Sequence, residues 1–383
     1  MKIIFNRQKI GEAVAPLMCA VSNKSTASAI EGILIDANED GTCVLTTFDD
    51  VKGLRTTVEA TVEESGSYII NAQKFVQTLR VMDGEFVTLT VESNLQACIS
   101  SGKSSHRMNA LAGSDFPAIP RLVTEDGFEI GQKILKKMLS KIMHAMAIND
   151  NRPVLNGCYC RVTDGNLLVV SCDSAKIAKC EAQVEIGNRT ENQAPLKFSF
   201  IIPTKTVNEL YKLLSDDEEE TVVIYMTRKN IVFNIGSLIF FSRLIDGVYI
   251  DFDRVIVTNH RIFATVKREP MIAALERAAL VTEEKVAGKT GSHVKLLFED
   301  GLLKVSALST QGSTYDEMEI EHEGENLLIA FKNRYLIDSL RASDAETVRI
   351  SMTSAHTSIN IEPVEIEEGK KELYMLLPVR MRE

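Results

Sequence analysis

Short apolar runs with alternating polarity dominate this chain. The stretches 87–91, 167–170, 221–225, 231–235 and 302–305 are rich in Val, Ile, Leu and Thr and read as strands. Turn-forming pairs accompany them at Asp40–Gly41, Asp83–Gly84, Asp164–Gly165, Asp246–Gly247 and Asp300–Gly301. A helical period appears in six windows, at 7–21, 71–82, 131–148, 203–215, 267–281 and 331–342. The odd-numbered windows recur at intervals of about 130 residues, and so do the even-numbered ones. One pattern, two helices set among many short strands, therefore occurs three times. A period this long marks a repeated domain, not a solenoid unit of about 20–50 residues. The chain divides as 1–124, 125–257 and 258–383, an α+β architecture.

Composition narrows the class. The 383 residues are 45% hydrophobic and 25% charged, ordinary for a globular protein and too long for one compact core. No apolar run approaches the roughly 18 residues of a membrane helix, and Asn6, Arg7, Gln8 and Lys9 interrupt any signal-peptide core. Seven cysteines without a Cys-x-x-Cys pair fit a reducing cytosol. No membrane partner and a cytoplasmic location are expected.

Net charge is −10, which on its face argues against a polyanionic partner. Mapping the charge reverses that. The six helical windows hold sixteen Lys and Arg against five acidic residues, so the strands and loops carry about −21. Surface helices ordinarily mix Lys with Glu; this segregation instead makes a basic helical face on an acidic scaffold. Duplex DNA carries one charge per ~1.7 Å of axis, so a helix of about 14 residues faces on the order of 12 phosphates.

Enzymatic readings find little support. Gly288, Lys289 and Thr290 lack the Gly that a P-loop places five residues earlier, where Glu283 stands. Cys158, Cys160, Cys172 and Cys180 lie in strand-like runs with no nearby His, and the six His form no metal motif or triad. No catalytic residue, metal or cofactor is assigned.

Several segments stand out, in order along the chain. They are the opening strand 1–5 running straight into a helix, Ser101-Gly102-Lys103-Ser104 leading to Asp115-Phe116-Pro117, and 152–157 (RPVLNG). The stretches 169–178 and 244–247, Arg277 to Leu280, and Leu377 to Met381 complete the series. Together, over the whole chain, these segments resemble the bacterial DNA polymerase III beta subunit (sliding clamp) family. This resemblance implies three similar clamp domains, each with two helices backed by antiparallel β-sheets, and a head-to-tail dimeric ring around duplex DNA. The implied role is non-catalytic: a processivity factor that tethers the replicative polymerase and slides without sequence specificity. A clamp paralogue recruiting repair or translesion polymerases is the alternative.

The resemblance also implies three sets of residues. Lys24, Arg80, Lys137, Lys141, Asn149, Arg152, Lys205 and Arg334 would face DNA. Leu155, Cys172, Lys176, Ile177, Ile250, Arg254, Val255, Pro378, Val379, Arg380 and Met381 would form a pocket for short hydrophobic peptides of the polymerase, the clamp loader and repair proteins. At the self-association seam, Leu280 and Val281 would enter a receptor at His106 and Met108, with Lys74, Lys103 and Arg107 opposite Asp316, Glu317 and Glu319. The chain departs from the family pattern at Ser174, Ala175 and Lys176, at Ile250, and in its last two residues, all in or near the peptide pocket.

Overall fold

The computed structural model describes residues 1–22, 28–122, 124–282, 293–310 and 312–381. Every helical window holds a helix: α1 (Arg7–Leu17), α2 (Ala72–Val81), α3 (Gln132–Ile142), α4 (Thr204–Leu213), then, after the one-turn α5 (Phe252–Val255), α6 (Arg268–Thr282) and α7 (Asn333–Ala342). Only α5 was not legible, because four residues are too few to show a period.

Local chemistry sets the ends. Asn6 accepts hydrogen bonds from the Gln8 and Lys9 amides at 3.1 Å, and Asn71 accepts one from the Lys74 amide at 3.0 Å, satisfying N–H groups that a helix leaves open. Helices α1 and α3 stop short of their sequence windows for a shared reason. The Leu17 carbonyl accepts the Thr47 hydroxyl at 2.9 Å, and the Ile142 carbonyl accepts the Ser171 hydroxyl at 2.5 Å. In each case a neighbouring strand takes the last carbonyl, and a 3-10 turn follows, Met18–Ala20 or Met143–Ala145. The same device at both sites is an echo of the repeat that no periodicity displays.

Contacts group the described residues into two compact units. The first holds residues 1–132, 187–194 and 212–244. Its strands form one 14-stranded sheet, within which Leu238–Arg243 pairs antiparallel with Lys52–Glu59. Gly53 is required there: a Cβ would lie 2.2 Å from the Phe241 ring, which covers it. Helices α1 and α2 bury Ile10, Val14, Leu17, Phe75 and Leu79.

The second unit holds residues 133–186, 195–211 and 245–383. It contains a nine-stranded sheet, in which Lys176–Gln183 pairs antiparallel with Lys370–Leu376, and a four-stranded sheet. Strand Asn166–Cys172 is buried at almost every position, consistent with its unbroken apolar run. The hairpin at Asp300–Gly301 has φ of 44° and 80°, the doubly left-handed turn that the pair predicts. The middle third of the sequence thus contributes strands to both units.

Candidate DNA, self-association and partner surfaces

The residues expected to face DNA divide sharply. Arg80, Lys137, Asn149, Arg152, Lys205 and Arg334 are exposed. Lys141 is not: it is 2% exposed, with its ammonium 2.8 Å from Asp344 and 3.2 Å from Glu372. Lys141 lies one turn after Lys137 on the same face of α3 but sits deep against Asp344 and Glu372, so Lys141 leaves the DNA-facing set. Lys24 lies outside the described residues, as do Glu283, Gly288 and Thr290.

Several exposed bases already hold an internal partner. Lys137 reaches Asp344 at 3.1 Å and Arg334 reaches Asp338 at 2.8 Å. Burial alone would raise the Asp344 carboxyl, yet hydrogen bonds from Lys141 and Lys137 hold it below its ordinary value. Arg152 bonds to Asp150 and to the Ser174 hydroxyl. The Arg152 guanidinium pulls the Asp150 carboxyl down to about 2. Ser174 sits at φ +76°, a conformation that favours Gly, and its hydroxyl also donates to Asp150 at 3.1 Å. These local bonds support Ser174 in that conformation. Exposed pairs of this kind contribute little and can exchange their carboxylate for a phosphate. Arg7, not singled out from sequence, lines with Arg80 and Gly11 a groove of about 330 Å³ between α1 and α2. Helix rotation, which decides such a pairing, is not written in single-residue charge.

The expected receptor half of the seam is assembled. Lys74, His106, Arg107 and Met108 line one hollow of about 590 Å³, with Val81 76% exposed at its side. Lys103 is exposed at the preceding turn. Within strand Ser104–Ala112, residues 104–109 pair with Gln96–Ser101 and only 110–112 pair with Gly66–Asn71. The 104–109 segment therefore presents an open edge. In the second unit, Ser313–Glu319 is the outer strand of the four-stranded sheet. Glu317 and Glu319 are exposed on it, and Leu280 on α6 is 77% exposed. Two expectations are corrected. Val281 is buried on the core side of α6, leaving Leu280 as the projecting residue. Asp316 is held by Arg277 through a two-pronged ion pair with its nearest contact at 2.6 Å, so its charge is taken within the chain.

The peptide-pocket residues converge only in part. Leu155, Cys172 and Ile177 belong to one apolar cluster with Tyr249, Phe252 and Met375, against which Ile250 packs. Leu155 and Ile177 are closed to solvent and act as its support, a correction to their placement in the pocket lining. Lys176 is buried too, its ammonium 4.5 Å from the Tyr335 ring centre and 3.6 Å from Asp173, so it presents no surface charge. Tyr335 and Tyr249 carried no sequence signal. Above the cluster, Val255 is exposed, and Arg254 is exposed and pairs with Asp251 at 2.9 Å. The tail docks: the Leu377 amide donates to Ala175 at 2.8 Å and the Val379 amide to Ala330 at 2.7 Å. Pro378, Val379 and Met381 are half-buried, and Arg380 is exposed.

Comparison with known proteins assigns the architecture. Residues 1–120, 129–251 and 253–379 match, in order, the N-terminal, central and C-terminal domains of the DNA polymerase III beta subunit. The chain belongs to the DNA polymerase III beta subunit family. The beta sliding clamp of Halalkalibacterium halodurans is 28% identical over 99% of this chain and all of its own length. That of Staphylococcus aureus strain Mu50 is 27% identical over 94% of each. The crystal structure of the Bacillus subtilis DNA polymerase sliding clamp covers both chains fully with a TM-score of 0.91 and 26% identity. The three clamp domains and mixed α/β antiparallel fold of the family are therefore those of this chain. No three His, Cys, Asp or Glu side chains among the described residues are grouped to hold a metal, and no described helix is long and apolar enough to cross a membrane.

Proposed function

We propose that this chain is a DNA sliding clamp: a ring-forming, non-catalytic processivity factor that encircles duplex DNA and tethers a DNA polymerase. The observation that carries this reading is the succession of all three beta-subunit domains along the chain, with relatives matched over nearly their whole length. We place the domain boundaries at 124/125, between the matched segments, and at 257/258, five residues into the segment that matches the C-terminal domain. Arg80, Lys137, Asn149, Arg152, Lys205 and Arg334, joined by Arg7, meet phosphates directly or through water without reading bases. The chain works in the cytoplasm.

Self-association joins the 104–109 edge of one copy to the Ser313–Glu319 edge of another, with Leu280 entering the hollow beside Met108. The two edges differ, so the contact is heterologous and closes only as a ring. Partner proteins dock through short hydrophobic peptides beside Ile250, Val255 and the tail from Pro378 to Met381.

Clamps loaded on nicked circular DNA should resist about 1 M salt and slide off once the circle is linearised. Equal salt sensitivity on circles and linear DNA would mean ordinary electrostatic binding and would remove the topological reading. Ending the chain at Leu377 should abolish binding of polymerase-derived peptides and leave the dimer intact. Unchanged peptide affinity in that variant would place the partner site elsewhere.

A further inference from the structure

The second unit contains a cleft of about 460 Å³, of whose lining residues only Lys137 has a place in the roles above. Its walls come from α3, strand Lys176–Gln183 and the segment 363–367, and the C-terminal end of α7 closes one side. The apolar surface is supplied by Ile134, Met138, Ala182, Val184, Pro363 and Ile366. Two large apolar side chains that the described chain leaves in water line it: Ile134 and Ile366. An exposed apolar rim around a concave wall is the signature of a binding surface rather than of a core.

Charge says what fits. The bases at the cleft are satisfied internally: Lys141 by Asp344 and Glu372, Lys137 by Asp344, and Lys370 by Glu367. The exposed rim carboxylates Glu185 and Glu365 have no basic partner among the described residues. The floor is thus neutralised and the rim negative. Burial pushes the Cys180 thiol in the wall up to about 12, so the cleft offers shape and charge, not a nucleophile.

We propose that this cleft is a second peptide-docking site, taking a short partner segment of apolar side chains followed by one Arg or Lys. The proposal rests on the tethering reading above and adds a site whose charge preference differs from that of a purely hydrophobic pocket. Apolar side chains cover Ile134, Met138 and Ile366, and the basic group meets Glu185 and Glu365 at the rim, where complementarity sets specificity.

The test uses the full chain with methyl-labelled Ile and Met and two probes, acetyl-Leu-Ile-Phe-Arg-amide and acetyl-Leu-Ile-Phe-Glu-amide. The Arg probe should shift the Ile134, Met138 and Ile366 methyl signals and bind about tenfold more tightly than the Glu probe. Glu185→Gln with Glu365→Gln, both exposed, should erase that preference while leaving the methyl spectrum of the free protein unchanged. The chain ending at Leu377 should bind the Arg probe as the full chain does. Equal affinity for the two probes, no binding of the Arg probe, or shifts confined to Met375 and Met381 would overturn the proposal. Retention on nicked circles reports the clamp reading separately, so failure of one is distinguishable from failure of the other.

Discussion

Residues 104–109 in the first unit and Ser313–Glu319 in the second each leave one strand side unpaired, yet they differ in nearly everything else. The first edge carries His106 and Arg107, with Lys74 and Lys103 close by, and borders a hollow. The second carries Asp316, Glu317 and Glu319 and lies near the projecting Leu280. Long open edges invite indiscriminate pairing unless charge or shape restricts the partner. Here the two edges carry charge of opposite sign. The units differ inside as well. The only His of the first unit is His106, exposed on the edge, whereas the second unit holds His144, His260 and His293, each partly buried and held below the ordinary imidazole value chiefly by that burial. Opposite charge thus marks the two edges, and the imidazoles lowered by burial lie in the second unit.

The largest effect should come from Leu280→Asp. A carboxylate in place of the projecting side chain would have to be desolvated in the hollow beside Met108. Dimer affinity should fall roughly 100-fold, the scale of a central contact residue. Sedimentation or native mass spectrometry reads it directly. Val281→Ala should behave differently, because Val281 packs inward: the melting temperature should fall while dimer affinity changes little. If the two substitutions were equivalent at the seam, the assignment of the knob to Leu280 alone would be lost.

These same residues show how far sequence reasoning reached. Six helices, the threefold repeat and the strand-rich remainder were legible because periodicity reports burial on a local element. Lys141 and Val281 were not. Val281 is assigned by the rotation of its helix, and Lys141, on the same face as exposed Lys137, by the neighbouring segments that carry Asp344 and Glu372; a basic residue one turn from an exposed one looks identical in sequence. Asp316 and Lys176 were misplaced for a related reason. Their partners, Arg277 and Tyr335, lie 39 and 159 residues away, a pairing that only the fold reveals. The tail was legible as a docking element because Leu-Leu-Pro-Val-Arg-Met is too apolar to leave in water, and the amides of Leu377 and Val379 are hydrogen-bonded.

A second, smaller difference concerns acid. His144 follows α3, 3.3 Å from the Ser339 hydroxyl, and burial pulls its imidazole down to about 3. An unfolded His titrates near ~6.5. Between those values the unfolded chain binds the proton and the folded one does not. Stability is therefore full above about 6.5 and is lost progressively as pH falls toward 3. At pH 5 this amounts to on the order of 2 kcal/mol, confined to the second unit. Hydrogen exchange, corrected for intrinsic rates, should show protection falling between pH 7 and 5 along Asn166–Cys172 but not along Thr42–Phe48. His144→Gln should flatten the response. Parallel loss in both strands would mean that acid acts on the whole chain, not through this imidazole.

The smallest effect tests whether the two edges recognise each other by charge. Arg107→Glu places a carboxylate on the basic edge, and Glu317→Lys places an ammonium on the acidic one. Both positions are exposed, and Glu317 bonds only lightly, accepting the Tyr315 hydroxyl at 2.8 Å. Rim pairs of this kind contribute about 0.2–1 kcal/mol, so each single change should weaken each seam by roughly 1.4- to 5-fold, and more at low salt. The double variant should recover most of the loss, because it restores opposite signs across the seam. Asp316→Lys should not substitute for Glu317→Lys in that rescue. Its carboxylate anchors Arg277, so the change breaks an ion pair within the chain and leaves two cations adjacent. A rescue equally good from either position would show that the seam senses only net charge. A rescue from Glu317 alone would show that the register of the two strands sets which residues meet.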